Sequence, residues 1–160
     1  MLAAAIVSII LVALTVVIHY EILRLTSDAL PRLAIPPRLR SVIVMAIVIV
    51  IGTTFVAHRI EVWIYGLTYA VTAGPWGLGT RGGDFAGSFA EYIYFFTHTY
   101  TSLGLGDVWQ LGPMRLIAGV EVLNGLILIG WTASFTFLTM QRFWGLLGAA
   151  RDSILSRPPG

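Results

Sequence analysis

The chain has 160 residues, of which 57% are hydrophobic and 11% charged, with a formal net charge of +2 and a mean hydropathy of +0.84. Soluble domains carry about a quarter charged residues, so this balance excludes a soluble globular protein and marks an integral membrane protein, while +2 is too small a charge to suggest nucleic acid as a partner. There is no cysteine, which excludes disulfides, thiolate metal sites and cysteine nucleophiles.

The first apolar run, residues 1 to 20, spans a hydrocarbon core of roughly 30 Å as a helix rising about 1.5 Å per residue. It lacks a basic leader and a small-residue cleavage site before "HYEILRL", so it reads as a retained helix and not a signal peptide. A polar linker follows with Arg24, Asp28, Arg32, Arg38 and Arg40, interrupted by Pro31, Pro36 and Pro37, whose fixed φ and missing N–H end helices. The second run, Ser41 to Thr72, is longer than one crossing needs, and Trp63, Tyr65 and Tyr69 stand where an interfacial aromatic belt is expected. Residues 72 to 87 hold six glycines and one proline and read as loop throughout.

Ser88 and Glu91 then form the S-x-x-E capping pattern ahead of "FAEYIYFFTHTY", which is too short to span and predicts a re-entrant or buried helix. The last long run extends from Pro113 to about Met140 and predicts a further crossing, followed by a tail with Arg142, Arg151 and Arg157. No internal repeat is visible, which disfavours an inverted-repeat transporter. The linker over residues 24 to 40 and the tail carry most of the arginines and are expected on the cytoplasmic side of the cell membrane. Three crossings then place the N-terminus outside and the C-terminus inside. The expected organisation is an additional N-terminal helix with its linker (1–40), a central module (41–141) and a short tail (142–160).

Between the short helix and the last span lies "THTYTSLGLGD", with alternating glycines and small hydroxyl residues. Irregular backbone at membrane depth must be buried in protein or line a water-filled path, because lipid leaves free N–H and C=O groups unsatisfied. At Thr99, Thr101, Ser102, Leu103, Gly104, Leu105, Gly106 and Asp107 the stretch resembles the filter T-x-T-T-V-G-Y-G-D of the potassium channel family, and the resemblance extends over about residues 42 to 140.

The resemblance implies an all-α membrane protein with three transmembrane helices, a re-entrant pore helix and a filter loop, assembled as a homotetramer in the lipid bilayer. It implies that residues 102 to 106 select among monovalent cations, with Thr101 and Asp107 at the ends of the K+-binding set and no cofactor beyond the permeant K+ ions. Rings of backbone carbonyls would replace the ion's hydration shell. Two departures stand out: Leu105 replaces the filter tyrosine, and Tyr94 and Phe95 replace the tryptophan pair of the pore helix, so relaxed potassium selectivity is expected. His98 stands where the family often has an acidic residue; it either donates to Asp107 or packs behind the filter as a neutral ring. On the inner helix the resemblance places Gly125 at a hinge and Leu126, Ile129, Ala133 and Phe137 on the pore face.

Polar residues inside spans are costly and need partners. His58 and Glu61, three apart, read as a satisfied pair or as part of a metal site. Asn124 either faces the cavity or bonds a neighbouring helix. With Trp63 taken as level with Pro113, Glu121 is expected to pair with Arg59 or His58, whereas Glu21 and Arg24 form a surface pair. Two other functions compete with a channel. One is a metal-dependent membrane enzyme built on His19, His58, Glu61 and Glu121, and the other is a non-conducting regulatory or assembly subunit.

Overall fold

A computed structural model describes residues 1–30, 39–73, 77–83 and 88–156. The linker prolines and arginines at positions 31, 32 and 36 to 38, loop residues 74–76 and 84–87, and the last four residues lie outside the described residues. Among the described residues the protein is an all-α membrane protein of four helices, three of them long and apolar enough to cross a bilayer. These are α1 (Leu2–Ala29), α2 (Leu39–Ala73) and α4 (Met114–Leu155), with the short α3 (Phe89–Tyr100) between the last two.

α1 buries one stripe, Ala4, Ser8, Leu11, Thr15, His19, Leu23 and Thr26, at the three- and four-residue spacing of a helical face. Small and hydroxyl residues on that stripe suit a membrane interface, where close backbone approach and interhelical hydrogen bonds replace the hydrophobic effect. The stripe packs on α2 and α4. α2 and α4 run antiparallel in a register that polar contacts fix: His58 meets Thr132, Tyr65 meets Asn124 and Tyr69 meets Glu121.

α3 begins where its sequence predicts. The Ser88 hydroxyl accepts from the Glu91 N–H at 3.3 Å while the Glu91 carboxylate accepts from the Ser88 N–H at 2.8 Å, a closed capping box. Phe95, Phe96 and Tyr100 anchor it in a core shared with Tyr65, Tyr69, Met114 and Ile117.

Four expectations need correction. The segment read as loop over 72 to 87 contains strand β1 (Arg81–Gly83), paired antiparallel with β2 (Val108–Gln110). Backbone pairing and the seat of Gly82 against the Trp109 ring make this ribbon, so it leaves no apolar alternation to read. The last helix does not end near Met140 but continues to Leu155, since nothing between them breaks a helix until the terminal prolines. α1 likewise runs on to Ala29. Finally, Tyr65 and Tyr69 are fully buried core residues and only Trp63, 41% exposed, is free to meet an interface.

Candidate ion pathway and the polar interior

The chain leaves α3 through a tight sequence of backbone bonds. The Thr101 N–H and hydroxyl both donate to the Thr97 carbonyl, at 3.1 and 2.8 Å, and the Ser102 N–H donates to Thr99 at 3.0 Å. The Gly104 N–H reaches back to the His98 carbonyl at 3.2 Å, which holds the loop beneath the helix end. From there left-handed backbone recurs at every second residue: φ is 58° at Ser102, 52° at Gly104 and 82° at Gly106. Alternating left-handed with ordinary dihedrals turns successive peptide planes to the same side, unlike a strand, whose carbonyls alternate. Glycine takes such angles without steric cost, whereas Ser102 does so against its Cβ. Residues 101–107 are all exposed in the single chain.

Behind this loop, Phe95, His98, Ser102, Gly104, Gln110 and Val122 are among the residues lining a cavity of about 300 Å³. His98 and Gln110 are buried there, and neither His98 ring nitrogen nor either Gln110 amide atom has a partner within the chain. Of the two alternatives for His98, donation to Asp107 is not the one the structure has, because other groups hold that carboxylate. Tyr94 donates to its Oδ2 at 2.8 Å and the Val108 N–H to its Oδ1 at 3.0 Å, so His98 makes no hydrogen bond to it. The Tyr94 hydrogen bond holds the Asp107 carboxyl below its ordinary range. Burial pulls His98 down, against the nearby Asp107 charge that pulls it up. His98 instead stacks obliquely on Tyr94 and edge-on to Phe95, at centroid distances of 4.9 and 5.1 Å.

On α4, Met114, Ile117, Glu121, Asn124 and Leu128 are buried, while Leu126, Ile129, Ala133 and Phe137 lie exposed on the other side of the helix in the single chain. Gly125 is buried against the backbone carbonyl of Tyr100, where a Cβ would collide. The position assigned to a hinge is thus a point of close contact between α4 and the end of α3. Asn124 bonds neighbouring helices: its Nδ2 donates to Thr15 Oγ1 on α1 at 2.8 Å and to the Tyr65 hydroxyl on α2 at 3.1 Å.

Glu121 pairs with neither Arg59 nor His58. Its Oε2 accepts from the Tyr69 hydroxyl at 2.5 Å, and its Oε1 is buried without a partner. The expectation placed Trp63 level with Pro113, but α2 continues to Ala73, so the start of α4 stands level with the end of α2. Arg59 therefore sits about ten residues too deep along α2. Glu21 and Arg24 form the exposed pair expected of them, at 2.6 Å.

Among the described residues the interior holds a further polar group. Glu61 Oε1 lies 2.8 Å from His19 Nδ1, and its Oε2 lies 3.1 Å from His58 Nδ1 and 2.5 Å from the Tyr100 hydroxyl. Thr132 Oγ1 closes the group from α4, 2.9 Å from His58 Nε2 and 3.2 Å from His19 Nε2. Glu121 stands apart, so the four-residue set considered for an enzyme is not assembled. The recruitment of His19 was visible in sequence only as its place four residues after Thr15 on the small and polar face of α1.

Two helices flanking a capped short helix and a glycine-alternating loop define an ion channel pore module. Residues 42–142 match the sequence model of the ion channel family, and the chain belongs to that family. No curated protein and no solved structure matches the chain.

Proposed function

We propose that the protein is the pore subunit of a potassium-conducting channel of four identical chains, with Thr101, Ser102, Leu103, Gly104, Leu105, Gly106 and Asp107 forming the ion path. The observation that carries this reading is the recurrence of positive φ at residues 102, 104 and 106 directly after a capped helix too short to span. Four such loops around an axis would supply rings of carbonyl oxygens, the ligands a dehydrated monovalent cation needs. The exposure of residues 101–107 and of the Leu126, Ile129, Ala133 and Phe137 face in a single chain is consistent with surfaces that meet an axis. Leu105 cannot donate the hydrogen bond of a filter tyrosine, so potassium is preferred over sodium less strictly. The arginines of the linker and tail support a cytoplasmic position for those segments.

The test is potassium flux and reversal potential in liposomes holding only this protein. Wild type is expected to conduct, and Gly104→Ala and Gly106→Ala to lose conduction, because the structure has room for a Cβ at both glycines but their φ does not suit one. Flux that persists in both variants refutes the assigned path. A silent wild type would instead favour a non-conducting assembly subunit.

A further inference from the structure

The His19, His58 and Glu61 group has no part in the ion path, and with both rings neutral its proton inventory does not close. Both imidazoles turn Nδ1 toward Glu61, and both turn Nε2 toward the one hydroxyl of Thr132. With Nδ1 protonated on each ring to serve the carboxylate, both Nε2 atoms are acceptors facing a donor that has a single proton. One contact then lacks a hydrogen, which either a second proton on one ring or a cation in place of the Nδ1 protons resolves. If the two Nδ1 atoms instead bind a cation, both Nε2–H groups donate to the two lone pairs of Thr132 Oγ1, and each ring atom has a defined role. A ligating histidine whose far N–H is held by an oxygen acceptor is the usual outer arrangement of a metal site.

We propose that His19 Nδ1, His58 Nδ1 and the Glu61 carboxylate bind a divalent transition-metal ion, with zinc the redox-silent candidate. Each of the three residues offers one ligating atom within 4.8 Å of the other two. Zinc bonds of about 2.0 to 2.2 Å separate tetrahedral ligands by about 3.4 Å, so the contacts of 2.8 Å from His19 to Glu61 Oε1 and 3.1 Å from His58 to Glu61 Oε2 are already close to the spacing such a site needs. Two imidazoles and a carboxylate select such an ion over calcium or magnesium, which take oxygen ligands. The Tyr100 hydroxyl, 3.0 Å from His58 Nδ1 and 2.5 Å from Glu61 Oε2, stands on the remaining side.

A divalent ion bound by one carboxylate leaves one net positive charge, a smaller cost among apolar helices than the two of the free ion. Loading displaces any proton on the two Nδ1 atoms. His19 and Glu61 are fully buried, while the His58 side chain is 20% exposed in the single chain and gives an ion its approach. The site would join α1 and α2 to Tyr100, the residue from which the 101–107 loop departs.

The experiment is metal analysis of the full chain, purified in detergent with any tag removed, together with thermal unfolding under added zinc or a chelator. About one zinc per chain is expected, with a midpoint raised by zinc and lowered by the chelator. Thr132→Val is expected to weaken zinc affinity about 10- to 100-fold, because it removes only the outer acceptor of both rings. His19→Gln should lose tight binding, and His98→Gln, which removes the third histidine of the chain, should keep it. A wild type that neither retains zinc nor changes its midpoint when zinc is added overturns the proposal, as does zinc binding that survives His19→Gln undiminished. The readout needs no ion flux, so a silent channel leaves it standing and a conducting, metal-free channel overturns it alone.

Discussion

Tyr69→Phe removes a single oxygen from the most buried polar contact between α2 and α4. Its ring stacks on Phe96 at a centroid distance of 5.7 Å and meets Phe95 edge-on at 6.0 Å, and phenylalanine keeps both contacts. What disappears is the donor to Glu121 Oε2, and because Glu121 Oε1 already lacks a partner, the carboxyl is left with no hydrogen bond at a site with no solvent exposure. Leaving a buried polar group unsatisfied costs about 1 to 3 kcal/mol. For a chain of this size that is a fall of about 2 to 12 °C in the thermal midpoint. Replacing both partners with apolar groups of similar shape is nearly neutral, so Tyr69→Phe combined with Glu121→Met should recover part of the loss. Glu21→Gln, which breaks only the exposed pair with Arg24, should stay within about 0.5 kcal/mol of wild type. Thermal unfolding of these four proteins and of Glu121→Met alone in one detergent decides the matter. A midpoint for Tyr69→Phe equal to wild type, or a double variant whose loss is the sum of the single losses, would refute the account.

Asn124→Ala removes the donors that join α4 to Thr15 and Tyr65, and interhelical hydrogen bonds in membranes average about 0.6 kcal/mol each, so a loss of about 1 kcal/mol is expected in the same unfolding assay. Asp107 has a lowered carboxyl, so its contribution to the loop is complete above the ordinary carboxylate value of about 3.9 and is lost as pH falls through the lower folded value. Tyr94→Phe removes the main cause of that shift, and the acid loss of flux should therefore set in at a higher pH than in wild type; an unmoved profile counts against the Tyr94 contact. His98→Gln should leave the flux profile above about pH 6.5 unchanged, because burial keeps the ring uncharged there; a shifted profile would make His98 the sensor.

The sequence by itself determined the features that arise from local chemistry. Apolar length produced three crossings, the Ser88 and Glu91 pair started α3 at its observed residue, and the glycine spacing marked the loop at 102 to 106. Each of these depends on residues within a few positions of one another, where propensity and capping act. Tertiary structure decided which polar side chains meet, because that depends on the register between helices, and apolar surfaces that slide along one another set register only weakly in sequence. Eleven residues along α2, from His58 to Tyr69, match eleven residues back along α4, from Thr132 to Glu121, and this offset gave Glu121 to Tyr69 in place of Arg59. The same packing put Tyr94 on Asp107, which decided between the two alternatives for His98, and drew His19 from α1 to Glu61, 42 positions away. Such long-range meetings are fixed by the need to satisfy each buried polar group once, a condition on the whole assembly of helices that no single segment displays.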